Sequence, residues 1–340
     1  MSDARFFHVT RTGKLAAHAS PREALAAAKK GGYVWLDYSR PAKEELLALA
    51  RPFGLHQLSI EDCFDENQIP KIESYHRNTF ILFNTFSYAD GNLAVQEVDV
   101  FLGRNFLITV SGQLANNRRI FEGIEASLKL DNAGIGQGPA FLLHNILDHI
   151  VDQKFLAIEA LEDELDLAEE SILANLKLFD PAGLLHLRRN LLAVRKSLFH
   201  EREIMVKLCR QDSPFVPDKA IYFYRDIYDH LAKFFELTES YREILTSLMD
   251  MYLSMVNNQM THTANETNVI VRRLTFITTI FMPLTLLAGI GGMSEWTMIT
   301  GGAQNWKIAY PLFLLALVVI GVASYFVLKW IEGDRGPKQE

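Results

Sequence analysis

From Asp250 onward the chain places small or polar residues at alternating steps of four and three. The series is Asp250, Ser254, Asn257, Thr261, Ala264, Asn268, Val271, Thr275, Thr278, Met282, Thr285, Gly289 and Gly292. Such spacing returns to one helix face as a heptad-like seam, which a coiled coil would fill with Leu and Ile. Beside its second half the neighbours are apolar: Leu274, Phe276, Ile277, Ile280, Phe281, Leu284, Leu286, Leu287 and Ile290. A helix with lipid-compatible flanks and one polar stripe is a membrane helix whose stripe faces either water or a closely packed neighbour. The stripe continues unbroken into the polar helix upstream, which weighs toward a water-filled path.

The same pattern divides the rest of the chain. Leu274 to Met293 and Ile308 to Ile331 are each long enough to cross a bilayer, and nothing upstream is. Met1 to Arg11 lacks the apolar core of a cleaved signal peptide. Residues 1–140 alternate strand and helix patterns and predict an α/β domain. Phe6 to Thr10 and Tyr33 to Tyr38 read as strands, Pro41 as the first turn of a helix through Leu46, Leu47 and Leu49, and Ile60-Glu61-Asp62 as a short helix. Thr79 to Tyr88 and Val95 to Val110 read as hairpin strands joined across Asp90-Gly91-Asn92. Residues 141–213 predict a charged helical hairpin turning at Asp180-Pro181-Ala182-Gly183. No proline falls between Pro217 and Pro283, so one helix of roughly 110 Å is expected from Asp218 to Met293. It divides into a stalk, 218–273, and a first span, 274–293; a loop at 294–307, a second span at 308–331 and a tail at 332–340 follow.

Charge and composition narrow the function. A net charge of −7, with no basic patch carrying interleaved aromatics, argues against a nucleic-acid partner. Two cysteines, Cys63 and Cys209, make neither a disulfide framework nor a thiolate cluster and read as buried thiols. Arg272 and Arg273 precede the first span and Lys329, Arg335 and Lys338 follow the second, while the loop has no cationic excess. Both termini are therefore expected in the cytoplasm and the loop outside. The acidic run Glu159, Glu162, Asp163, Glu164, Asp166, Glu169 and Glu170 reads as a solvated helix face or a surface that concentrates cations. No nucleophile–base pairing, phosphate-binding glycine loop or heme motif marks an enzyme, and the histidines lack ligand spacing.

Several motifs carry a resemblance. Arg272-Arg273-Leu274-Thr275, Phe281-Met282-Pro283-Leu284-Thr285-Leu286-Leu287-Ala288-Gly289-Ile290 and Gly292-Met293 resemble the first membrane helix of the CorA-type divalent metal ion transporters, ZntB-like members included. Trp35-Leu36-Asp37, Phe53-Gly54-Leu55-His56, Ile60-Glu61-Asp62, Pro70-Lys71-Ile72-Glu73 and Phe101-Leu102-Gly103-Arg104-Asn105-Phe106 resemble, in order, that family's cytoplasmic domain. The family signature Gly-Met-Asn reads Gly292-Met293-Ser294 here, and its usual Asn-Glu pair reads Asn268-Val269.

The resemblance implies a homopentameric funnel in the inner membrane: an α/β cytoplasmic domain, a long stalk helix and two transmembrane helices per subunit. It implies a pore lined by Asn268, Val271, Thr275, Thr278, Met282, Thr285, Gly289 and Gly292, with Gly292, Met293, Ser294 and Glu295 at the outer mouth. Ser294 breaks the motif, so preference for Mg2+ over Zn2+, Co2+ or Ni2+ does not carry over. Glu295 either forms a carboxylate ring or faces outward. Asp226 and Asp250 match stalk carboxylates, and Asp90 lies near the partner carboxylate of an intersubunit regulatory metal site; surface salt bridging is the alternative for each. Mg2+ or another divalent cation is thus expected as cargo and as regulator. The rival function is a membrane-anchored metal sensor that kept the fold and does not conduct.

Overall fold

The computed structural model describes residues 3–65, 68–89, 91–112, 119–130, 132–293, 298, 301 and 305–333. They fall into two compact units, Met1–Tyr252 and Leu253–Glu340.

The first unit is built on a seven-stranded mixed sheet. Its strands are β1 (Asp3–Val9), β2 (Leu15–His18), β3 (Tyr33–Ser39), β4 (Lys71–Ser74), β5 (Asn78–Ala89), β6 (Asn92–Gly103) and β7 (Phe106–Ser111), in the order β2-β1-β3-β7-β6-β5-β4. Only β3 and β7 pair in parallel. Helices α1 (Pro21–Ala28), α2 (Lys43–Phe53) and α3 (Gln57–Asp62) cover one face. Ala24, Leu46, Leu49, Phe53 and Ile60 there meet Val34, Leu36, Phe80, Leu82, Phe101 and Ile108 in one buried cluster. After α4 (Ile124–Leu130) and α5 (Asn132–Ile135), the long helix α6 (Pro139–Ala174) packs against β3, β5, β6 and β7. Because β3 lies between helical layers it is buried along its whole length, which is why its sequence lacks alternation.

The β5–β6 hairpin pairs from Ala89↔Asn92 to Asn78↔Gly103, with Gly91 at φ +76. Two expectations need correction. Val95 to Val110 is not one strand: it breaks at Arg104-Asn105 into the ends of β6 and β7. Gly103 makes that turn possible, since a Cβ there would stand 2.1 Å from the Phe106 ring. Pro41 does not open α2; the cap is Ala42, whose N–H donates to Glu45 Oε2 at 2.9 Å. At the other end Gly54 takes the left-handed conformation, φ 67, that closes the helix. Helix α1 and strand β2 are elements that the apolar pattern did not announce. Cys63 and Cys209 are half-buried free thiols rather than fully buried ones, with Cys63 Sγ donating to Ser59 O at 3.2 Å.

Helix α7 (Ala182–Cys209) runs back against α6, and a 3-10 turn at Asp218–Ala220 leads into α8 (Ile221–Gly291). The first part of α8 buries Tyr224, Ile227, Leu231, Phe234, Thr238, Tyr241, Leu245 and Leu248, alternating steps of three and four. Tyr224 Oη donates to Ala140 O at 2.7 Å, Tyr241 Oη donates to Glu162 at 2.6 Å, and Phe234 stacks on Phe155. The carboxylates of the acidic run that α6 carries are mostly exposed.

The second unit contains the remainder of α8 and one further helix, α9 (Trp306–Gly333). Both are long and apolar enough to cross a membrane, and neither apolar stretch is buried inside the chain. Pro283 sits within α8 without ending it.

Candidate ion pathway and carboxylate sites

In the second unit, the face of α8 turned to α9 comprises Phe276, Ile280, Pro283, Leu284, Leu287 and Gly291, all half-buried. Two close approaches fix the pairing. Gly291 leaves room for the Phe313 ring, which a Cβ would meet at 2.6 Å, and a Cβ on Gly321 would stand 3.5 Å from Leu284 Cδ1. At 100° per residue, Thr275, Thr278, Met282, Thr285 and Gly289 lie about half a turn round from that face. They are exposed, as are Asn268, Val271 and Gly292. An open trough of about 710 Å³ runs along α8, where Thr278, Met282, Thr285 and Gly289 are flanked by larger apolar side chains such as Ile277, Phe281 and Leu286. The stripe seen in the sequence is therefore not the face that packs on the second span. Upstream the relation repeats: Asp250 stands about 200° round from the buried Leu248.

The seam threonines bond in one way. Thr275 Oγ1 donates to Val271 O at 2.9 Å, Thr278 Oγ1 to Leu274 O at 2.9 Å, and Thr285 Oγ1 to Phe281 O at 2.8 Å. Their protons are committed to carbonyls one turn back. The oxygen lone pairs remain, and these accept the O–H groups of water around a cation. Helix α8 closes at Gly292, whose N–H donates to Ala288 O at 3.0 Å. Ser294 and Glu295 lie outside the described residues.

Of the three candidate carboxylates, the two that are described do not meet within one chain. Asp226 and Asp250 sit on the same helix, about 36 Å apart along its axis, and Asp90 lies outside the described residues. Asp226, 65% exposed, faces His230 at 3.7 Å. Asp148 on α6 is a neighbour that sequence reasoning missed. Burial raises its carboxyl, His144 opposes the rise, and the charges of Asp152 and Asp226 add to it. Among the described residues no group of three His, Cys, Asp or Glu side chains is placed to hold a metal ion.

Charges are also buried where nothing in the sequence signalled them. Lys154 on α6 and Glu201 on α7 are both 0% exposed and form an ion pair. Lys154 Nζ lies 4.3 Å from the Phe83 ring centroid and 4.8 Å from that of Phe86. Glu201 accepts from Asn84 N at 2.9 Å and Ser197 Oγ at 3.2 Å. Burial pulls Lys154 down to about 8 and pushes Glu201 up, each partner opposing the shift of the other. In β3, Asp37 accepts from Arg5, Arg119 and Thr109.

The sequence profile of the CorA-like Mg2+ transporter proteins matches residues 30–329. The chain belongs to that family. The CorA-like chain is 32% identical over 281 residues to the cobalt/magnesium transport protein CorA of Thermotoga maritima, covering 82% of this chain and 76% of the relative. It is 31% identical over 307 residues to the putative metal ion transporter YfjQ of Bacillus subtilis, covering 87% and 89%. The complete structure of the CorA magnesium transporter from Methanocaldococcus jannaschii matches with a TM-score of 0.67 at 24% identity, over 95% of this chain and 96% of that one. The CorA-like family consists of membrane transporters for metal ions, not enzymes, so the divalent cation is cargo.

Proposed function

We propose that five copies of the chain enclose a pore for hydrated divalent cations, lined by the α8 seam from Asn268 to Gly292. The observation that carries this reading is the placement of the seam about half a turn from the α9-facing side. Two helices alone enclose no aqueous path, whereas first spans repeated about an axis do, with α9 and the apolar flanks left to lipid. Threonine oxygens whose protons are engaged would hold hydration water weakly, as conduction requires. Asn268 would present amide groups at the cytoplasmic end and Met282 an apolar constriction. The seam from Asn268 to Gly292 offers no imidazole, thiolate or carboxylate, so dehydrated transition-metal binding has no support there. The arginine and lysine distribution supports cytoplasmic termini and an inner-membrane location.

Labelling tests the assignment of faces. In a chain whose Cys63 and Cys209 are replaced by Ser, cysteines at Thr278, Met282 and Thr285 are expected to react with charged thiol reagents in the assembled protein. Cysteines at Ile280 and Leu284, half-buried against α9, are expected to be protected. Equal labelling of both sets removes the pore assignment.

At the mouth, Ser294 is too short to copy an asparagine amide, which supports a permissive channel passing several divalent ions. Ser294→Asn is expected to shift uptake toward Mg2+. Glu295→Gln is expected to lower uptake of every divalent ion, most at low ionic strength, where screening is weakest. A wild type already strongly selective for Mg2+ contradicts the first expectation, and unchanged uptake in Glu295→Gln at low salt contradicts the second.

Regulation would place Asp226 opposite a carboxylate of the neighbouring copy, with Asp90 as the candidate and Mg2+ between them through water. Asp226→Asn is then expected to weaken the protection that Mg2+ gives the first unit against proteolysis. Identical protection in the variant and wild type removes this role.

A further inference from the structure

In the first unit a cavity of about 700 Å³ opens beside the β5–β6 hairpin, between the end of α3, the Arg40-Pro41 turn and α7. Its size is that of a small-molecule site rather than an ion site. The pairs Leu82↔Asp99 and Asn84↔Glu97 put Asn84, Glu97 and Asp99 on the sheet face that elsewhere carries Phe80, Leu82, Phe101 and Val110. Helix α3 ends at Asp62, and beyond it the apolar cover gives way to the cavity.

Two acceptors at this wall are stranded. Asp99 is 3% exposed and Asn84 is 5% exposed, and among the described residues neither Asp99 Oδ1 nor Asn84 Oδ1 has a hydrogen-bond partner. Asn84 spends its own amide proton on Ser197 Oγ at 2.8 Å. The other acids nearby are engaged: Asp62 pairs with Lys71 at 2.7 Å, while Gln68 donates to Glu97 at 2.6 Å and to Asp65 at 3.0 Å. Buried acceptors without donors are costly, so this wall calls for an occupant that brings N–H or O–H groups. A directly coordinated metal ion does not fit, since no three ligating side chains converge among the described residues.

We propose that this cavity binds a small organic cation of the amine or guanidine class, whose N–H groups donate to Asp99 Oδ1 and Asn84 Oδ1. Asp99, on giving up its proton, and Glu97 would form the acidic side of the cavity facing the cation, while the cations Arg40 and Lys196 border the cavity elsewhere. Burial, with the Glu97 charge beside it, pushes the Asp99 carboxyl up to about 8. Cys63, just past the end of α3, hydrogen-bonds Asp99 and opposes the rise, as does the charge of Lys71 on β4, while the charge of Asp62 adds to it. Asp99 is therefore mostly protonated at pH 7, and a bound cation drives its proton to solvent. Affinity rises with pH and levels off above about 8.

Agmatine, which carries both an amine and a guanidinium, is the probe. Calorimetric titration of the full chain in detergent, in buffers of different ionisation enthalpy, is expected to show saturable binding. Proton release should be larger at pH 7 than at pH 9. Asp99→Asn retains the shape of the neutral acid and is expected to unfold cooperatively, at a temperature no lower than wild type at pH 8. It should weaken agmatine binding at least tenfold and abolish the proton release, while divalent-ion uptake stays at the wild-type level. Asn84→Ala should weaken binding without changing the proton count. Absence of saturable binding, unchanged binding in Asp99→Asn, or binding without proton release at pH 7 overturns the proposal. Displacement of agmatine by Mg2+ in wild type but not in Asp99→Asn overturns it as well, because the cavity would then be a metal site. None of these outcomes touches the α8 seam, so the pore reading stands or falls separately.

Discussion

Lys154→Met is expected to destabilise the first unit by about 3–5 kcal/mol, the cost of leaving one buried charge without its partner. Lys154 and Glu201 are both 0% exposed, and the ammonium also sits over the Phe83 and Phe86 rings. Removing it leaves a Glu201 carboxylate with two donors, Asn84 N and Ser197 Oγ, and no counter-charge. Lys154→Met with Glu201→Gln should recover most of the loss: the pair is then neutral, and the glutamine oxygen still accepts from Asn84 N. Urea unfolding of the purified chain reads both variants. A single substitution no worse than the double would show that the buried pair is not coupled.

The second large effect is on transport. Thr278→Lys is expected to reduce Mg2+ uptake by about 100-fold or more. In the proposed assembly it would set a ring of ammonium groups on the axis, where two charges 4 Å apart repel by about 4 kcal/mol at an effective dielectric constant near 20. Thr278→Ser keeps the oxygen and its bond back to a carbonyl, and is expected to hold uptake near the wild-type rate. Wild-type uptake by Thr278→Lys would mean that ions do not pass this face.

The membrane part was the most legible in the sequence, because lipid demands long apolar runs and the helix repeat then exposes any polar stripe. Thr275, Thr278 and Thr285 stood out for that reason. What the sequence did not carry was the partner of the opposite face, which Gly291 against Phe313 and Gly321 against Leu284 establish. The sheet was less legible. Strand β3 is buried throughout and has no period to read, and β6 and β7 ran together because a tight turn at Gly103 leaves no polar interruption longer than Arg104-Asn105. Lys154 and Glu201 were invisible for another reason: on charged helices they look like their solvated neighbours, and only the packing of α6, α7 and β5 buries them. Asp99 was hidden in the same way between Val98 and Val100, at the start of the apolar half of β6. Asp226 could be read as a helix carboxylate from the sequence, but its neighbour Asp148, whose carboxyl burial raises, came from a helix distant in sequence.

The central claim is that this chain conducts divalent cations rather than merely sensing them. The most direct test is uptake by the purified wild-type protein in proteoliposomes, with Mg2+, Co2+, Ni2+ and Zn2+ offered one at a time. Uptake of several of these ions, all reduced by Thr278→Lys, is the result predicted here. Vesicles that take up none of the four, from protein shown to be folded and assembled, would contradict it.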